Sequence, residues 1–411
     1  MASEHQHPHN GEGENSWEGD FDPFADPEER RVLFAAFDSF RQYRRNAHMN
    51  TTHRRRQAFY ALPSAHWQML SEPPFSILDN FNKVDDAIDT NAEMADAILE
   101  IGLQSFGLSI APDKNDPTQN WHDTATSSDV NKAHSTIRQF YRDWSLEGQA
   151  EREVCYDPVL QDLHHEFQTR RDSGEDIRVL VPGAGLGRLV FDICMAGYDA
   201  EGNEISYHQL MASNWVLNHT KGPSKHALHP FALHFSNLQS RTQQLQKVQI
   251  PDVHPGAAMQ EAIGSGRRLG TMSMSAADFT VLYAQPDNKE SFDAVATVFF
   301  IDTAPNLIRY IEAIRHSLKP NGIWINVGPL LWHFDDGHSR KTNDVGHESG
   351  IGEPGNVELS EEEVLSLVER MGFRIEKNGD RRACGYIQDP NSMLQNLYQP
   401  SHWVARKLPV V

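Results

Sequence analysis

The segment Val179-Leu-Val-Pro-Gly-Ala-Gly-Leu-Gly-Arg188 runs from apolar residues straight into three closely spaced glycines. Lacking β-carbons, Gly183, Gly185 and Gly187 let the backbone approach a bound group and let the helix that follows pack tightly. Glu204 stands nineteen residues beyond Gly185, at the expected end of the next strand. A carboxylate there can accept both hydroxyls of a ribose, so turn and acid together read as a site for a nucleotide-type cofactor. A dinucleotide fingerprint is GxGxxG, whose third glycine lies beneath a pyrophosphate. Counted from Gly183 that position is Arg188, and the spacing is GxGxG. This form suits S-adenosylmethionine, which has no pyrophosphate to cradle. Ser275-Ala-Ala-Asp278-Phe279 adds an acidic-aromatic corner after a candidate third strand, with Asp278 suited to bond an adenine amine and Phe279 to cover its ring.

These residues need a sheet behind them. From residue 177 the texture alternates strand, turn and helix, which argues for a parallel α/β sheet. Strands are expected over 177–181, 198–205, 292–301, 322–327, 373–376 and 402–405, with helices over 190–196, 207–218 and 306–318. Lys319-Pro320-Asn321-Gly322 ends the last of these helices, and Ser360-Glu-Glu-Glu363 is a capping box that opens another running to Met371. Residues 251–270 form a stretch rich in Pro, Gly and Ser. Before residue 170 the pattern is helical throughout. Leu33, Ala36, Phe37, Phe40 and Tyr43 recur at helical spacing, and further helices are expected over 77–106, 130–144 and 150–169 around a polar linker at 111–129.

The chain has 411 residues, with 37 Lys and Arg against 57 Asp and Glu, a net charge of −20. Such acidity repels polyphosphate, so nucleic acid is a poor expectation for a substrate. No run approaches the roughly 18 apolar residues of a membrane span, and the first residues lack the basic start and apolar middle of a secretory signal. Three cysteines without CxxC spacing support neither a disulfide framework nor a zinc site, and suggest a reducing cytoplasm or nucleus. Residues 1–30 carry nine acidic residues and one basic residue, a composition that does not offset its own ordering entropy. Its His5, His7 and His9 read as a solvated tract rather than a metal site. The basic cluster at Arg41, Arg44, Arg45 and Arg54–Arg56 likewise reads as a solvated or acid-paired helix face.

Several longer runs resemble the carnosine N-methyltransferase family of class I S-adenosylmethionine-dependent methyltransferases. They are Gln139-Phe-Tyr-Arg142-Asp-Trp-Ser145, Leu180 to Leu189, Gly202-Asn-Glu204, Phe299-Phe-Ile-Asp302-Thr-Ala304, Gly322-Ile-Trp-Ile-Asn326 and Gly328-Pro-Leu-Leu-Trp-His333-Phe334. The resemblance spans roughly residues 28–408 and implies a Rossmann-like α/β sheet of seven strands, one antiparallel, preceded by an all-helical region. Composition adds a disordered acidic tail at 1–27 and a polar insertion at 335–357, which do not carry the resemblance; the layout is then that tail, a helical region at 28–170 that contributes to the cofactor site, and the sheet domain at 171–411. The resemblance further implies that Gln139, Arg142, Gly183, Gly185, Glu204, Asp278 and Phe279 hold S-adenosylmethionine, and that Asp302, His333, Tyr386 and Tyr398 hold a small imidazole dipeptide. Gln139 and Arg142, three apart, share a helix face, and an arginine there can pair with the cofactor's methionine carboxylate.

The reaction so implied is methyl transfer to an imidazole nitrogen of carnosine, β-alanyl-histidine, giving anserine. Asp302, just beyond a buried strand, can accept the ring N–H and stabilise the charge that develops, and His333 can hold the same ring or relay a proton. The same chemistry on another imidazole compound or a peptidyl histidine stays open, as does a homodimer. An NAD-dependent oxidoreductase is a further alternative, against which Arg188 speaks.

Overall fold

The computed structural model describes residues 23–333 and 355–409. The acidic tail up to residue 22 and residues 335–354 of the expected insertion therefore lie outside the described residues. Nine strands occur among those described: β1 (Arg178–Pro182), β2 (Asp199–Glu204), β3 (His226–Leu228), β4 (Val248–Ile250), β5 (Met272–Ala276), β6 (Phe292–Val298), β7 (Leu318–Gly328), β8 (Phe373–Asn378) and β9 (Ser401–Lys407). Seven of them form one sheet in the order β5-β2-β1-β6-β7-β9-β8, while β3 and β4 pair separately. β5, β2, β1, β6 and β7 are mutually parallel. β9 runs antiparallel to both neighbours.

Parallel strands are covered on both faces, which is why β1 and β6 are nearly continuous apolar runs rather than alternating ones. Val179, Leu180, Ala294, Val295 and Ala296 are fully buried. Because the five strands are parallel, their C-terminal ends lie along one edge. The chain order reverses between β1 and β6, and open α/β sheets bind ligands at such a switch point. The glycine turn follows β1, Glu204 closes β2, Asp278 follows β5, Asp302 follows β6 and His333 follows β7. The strand order thus gathers residues spread over 150 positions of sequence.

The helical region packs on this edge. Helix Ser127–Trp144 opens on a capping box: Thr126 Oγ1 accepts the Asp129 N–H at 3.3 Å and Asp129 accepts the Thr126 N–H at 2.9 Å. Its buried face is Val130, Ala133, Ile137, Phe140, Tyr141 and Trp144. Ala133, Ile137, Phe140, Tyr141 and Trp144 join Leu33, Phe37 and Phe40 of helix Pro27–His48 and Ile88, Ala95 and Ile98 of helix Ile77–Ser105 in one apolar core. The cationic cluster is acid-paired in part, as expected: Arg41 with Asp38 and Asp123, Arg44 with Asp89 and Asp96, and Arg56 with Asp85.

Four local expectations are corrected. The helix expected over 150–169 is two, Gln149–Cys155 and Asp157–Asp172, because Pro158 has no N–H to continue the first. The stretch 251–270 contains a helix, Pro255–Gly264, started by that proline and capped by His254 Nδ1, which accepts the Ala257 N–H at 3.0 Å. The short pair β3 and β4 was not anticipated. β6 ends at Val298, three residues early, since Phe299 turns the backbone to φ +52°.

Arg188, in the place of a third glycine, joins the two regions. Asp252 accepts from Arg152 Nη2 at 2.7 Å and from Arg188 Nη1 at 2.7 Å, all three side chains being largely buried. Replacing Asp252 with Ala would leave Arg152 without its carboxylate while Arg188 keeps Asp192 at 3.0 Å, so urea denaturation of Asp252→Ala is expected to show a loss of about 3 kcal/mol; a loss no larger than that of a surface substitution would contradict this account.

Candidate active site

The glycine turn is held by close approach on three sides. Gly183, Gly185 and Gly187 all have positive φ, at +66°, +56° and +76°, a region that disfavours side chains. A β-carbon on Gly183 would lie 2.6 Å from the Phe300 ring, and one on Gly185 would lie 2.9 Å from Gln139 Nε2. Glu204 is buried beside the turn. One carboxylate oxygen accepts the Gly185 N–H at 2.9 Å and the other accepts those of Ile205 and Ser206, both at 2.9 Å. Burial pushes this carboxyl above its ordinary range, while the Ser206, Gly185 and Ile205 N–H groups favour its charged form.

Helix Ser127–Trp144 brings its two polar residues over this cradle. Gln139 donates to Asp143 at 3.1 Å and accepts from Gln209 at 2.8 Å, so its amide orientation is set. Arg142 is buried, and its guanidinium carbon lies 4.6 Å from the Tyr386 ring centre, 5.1 Å from Phe299 and 5.4 Å from Tyr156. Its Nε and Nη2 have no hydrogen-bond partner among the described residues. A buried cation with two unmet donors is costly unless an anion completes it, and a methionine carboxylate meets that need. Gly183, Gly185, Glu204, Gln139 and Arg142 are therefore brought together and fit S-adenosylmethionine.

Asp278 and Phe279 lie beyond β5. Asp278 Oδ1 caps the short helix Phe279–Leu282 by accepting the Thr280 N–H at 2.8 Å. The Phe279 ring is buried against Tyr283, Phe300 and Tyr310 at 5.3, 5.5 and 5.6 Å, so it meets the Gly183 turn through Phe300.

On the other side of the turn, Asp302 is buried. Its Oδ2 accepts the Leu331 N–H at 3.0 Å, whereas Oδ1 has no partner among the described residues. Burial raises this carboxyl above the ordinary range, and the Leu331 N–H and nearby His333 moderate the rise. His333 donates its backbone N–H to the Asp302 carbonyl at 3.2 Å and keeps its side chain exposed. Tyr386 and Tyr398 converge on Phe299, at 5.2 and 5.7 Å between ring centres. Phe299 carried no assigned role in the sequence reading. A bulky side chain at φ +52° is rare and stored at functional sites more often than elsewhere; its position directly after a buried strand was the available signal. Tyr156 and Asp143 carried no assigned role either, the Tyr156 hydroxyl donating to Asp143 at 2.9 Å beneath Arg142.

A seven-stranded sheet with one reversed strand, a glycine cradle after β1 and an acid closing β2 define a class I S-adenosylmethionine-dependent methyltransferase. Residues 119–409 match the family model for carnosine N-methyltransferase. The chain is 33% identical to a carnosine N-methyltransferase of Schizosaccharomyces pombe over 93% of its own length and 97% of that protein. It is also 33% identical to the mouse (Mus musculus) carnosine N-methyltransferase, over 92% and 86% of the two chains. A solved structure, the magnesium protoporphyrin IX methyltransferase of Synechocystis with bound SAH, is 13% identical, covering 67% of this chain and 95% of that one at a TM-score of 0.35. The chain belongs to the carnosine N-methyltransferase family, and the oxidoreductase alternative is not favoured.

Glu204→Ala frees three backbone donors and removes the carboxylate expected to accept the ribose hydroxyls. Calorimetric titration with S-adenosylhomocysteine is expected to show binding weaker by about 1–3 kcal/mol; unchanged affinity would place the ribose elsewhere.

Proposed function

We propose that this protein transfers a methyl group from S-adenosylmethionine to an imidazole nitrogen of carnosine, giving anserine. The observation that carries the reading is Asp302 Oδ1, a buried carboxylate oxygen without a partner among the described residues, at the end of β6 beside the cofactor cradle. Family membership supplies the substrate class.

When bound, S-adenosylmethionine supplies an electrophilic methyl on a sulfonium. The protein's own groups orient and polarise the acceptor. An attacking imidazole nitrogen needs its lone pair, so the ring must be neutral with its proton on the other nitrogen. Asp302 Oδ1 accepts that N–H and selects this tautomer. As the ring gains positive charge the carboxylate interaction strengthens, a stabilisation specific to the transition state. No strong base is required, since imidazole with a pKa near ~6.5 is mostly neutral at pH 7. His333, tied by its backbone to Asp302, is placed to hold the same ring, and Tyr386 and Tyr398, ranged about Phe299, to flank the peptide and exclude water.

Incubation with S-adenosylmethionine and carnosine, with product mass and regiochemistry, tests the reading directly. Asp302→Asn is expected to lower turnover about 10²–10³-fold with S-adenosylhomocysteine affinity intact. Acidification through ~6.5 should lower the rate in both wild type and variant, because the substrate imidazole itself protonates; protonation of Asp302, whose pKa burial raises, should steepen the acid side of the profile in the wild type alone. Near-wild-type turnover in Asp302→Asn would remove the carboxylate from the chemistry.

A further inference from the structure

Tyr386 sits on a segment without regular structure, and the means of its placement lies in the next residue. Ile387 has φ +53°, a conformation that β-branched residues adopt only when their surroundings impose it. Three contacts do so. The N–H groups of Ile387 and Gln388 each donate to the Glu151 carboxylate at 2.8 Å, one to each oxygen. The Ile387 carbonyl accepts from Arg138 Nη2 at 2.6 Å. The Ile387 side chain is buried in the apolar core of the helical region. On the near side, a β-carbon at Gly385 would lie 2.9 Å from Glu151 Oε1, so the segment approaches the carboxylate as closely as glycine permits. Cys384 pairs its backbone with Tyr398 in both directions, at 2.9 and 2.8 Å, which fixes the second tyrosine relative to the first.

We propose that Glu151 and Arg138 are positioning residues for substrate: they clamp Ile387 in its left-handed conformation and thereby aim Tyr386 across Arg142 and Phe299. Arg138 is one helical turn before Arg142 on helix Ser127–Trp144, so the clamp and the cofactor-facing cation share one rigid element. A relaxed Ile387 would return to negative φ, which re-aims the preceding side chain. The inference rests on the reading that Tyr386 contacts the dipeptide.

The test is a double-mutant cycle on Glu151 and Tyr386, read as the carnosine KM together with calorimetric S-adenosylhomocysteine affinity. Glu151→Gln preserves size, but its amide nitrogen cannot accept, so one of the two N–H groups goes unmet. The expected result is a KM raised about five- to tenfold with cofactor affinity unchanged. Tyr386→Ala also raises KM, and the double variant is no worse than Tyr386→Ala alone, because a clamp with no ring to aim has no effect. Two effects that multiply, an unchanged KM in Glu151→Gln, or a cofactor affinity that falls as much as KM rises would each overturn the clamp while leaving methyl transfer to carnosine standing. An unchanged KM in Tyr386→Ala would instead overturn the substrate role of Tyr386, and the clamp with it. If Glu151→Gln does not fold, Arg138→Met, which removes the donor to the Ile387 carbonyl, takes its place in the same cycle with the same outcomes.

Discussion

Helix Ser127–Trp144 is pinned to the glycine turn, and every other part of the site depends on that seam. The Trp144 indole donates to the Leu186 carbonyl at 3.0 Å from full burial, and Arg188 Nη1 donates to the Asp143 carbonyl at 2.9 Å. Asp252 then bridges Arg188 to Arg152 on the next helix. A turn with its β-carbons removed has little side-chain packing of its own, so a neighbouring element must hold its shape. Here that element also carries Gln139 and Arg142, which means that the same contacts that stabilise the turn register these two side chains over it.

The seam places charge where water is excluded. Arg142 faces three aromatic rings and retains two unmet donors, and Asp302 retains an unmet oxygen across the site. Each is destabilising in isolation, because desolvating a charge without a full set of partners is costly. On the proposed reading, each becomes favourable when its ligand arrives, the cation with a carboxylate and the carboxylate with an imidazole N–H. Fold stability and ligand affinity are opposed at these two residues, and the buried ion pairs and the apolar helical core around them supply the stability that the site withholds.

Backbone strain is distributed in the same way. Phe299 and Ile387 are both left-handed without being glycine, and Tyr386 lies between them in space, its ring on the first and its chain joined to the second. Phe299 is held through its N–H to Val327 at 2.9 Å and Ile387 through Glu151 and Arg138. Strained positions persist only where surrounding contacts over-determine them, and both sets of contacts converge on the face where the peptide is expected to lie.

The glycine turn and the acid that closes β2 were legible in the sequence because they are local. The spacing Gly183, Gly185, Gly187 and then Glu204 is set by one strand, one turn and the next strand, and the apolar runs of β1 and β6 identify buried parallel strands without reference to anything distant. Helices Pro27–His48, Ile77–Ser105 and Ser127–Trp144 were legible for the same reason, since their buried faces repeat at 3.6 residues, whereas Arg54–Tyr60 and Ser64–Ser71, which bury one side chain and none, left no such pattern. What tertiary structure alone decided is non-local. No periodicity in the sequence marks Glu151 as the acceptor for Ile387 and Gln388, more than 230 positions away, and none marks Phe299 as the ring on which Tyr386 and Tyr398 meet. Arg188 could be seen to break a glycine pattern, but its reason, an ion pair with Asp252 across the seam, exists only once helices and sheet are packed. Hydrogen bonds to the backbone of an irregular segment depend on where chain segments meet in space, and that is fixed by packing rather than by spacing along the chain.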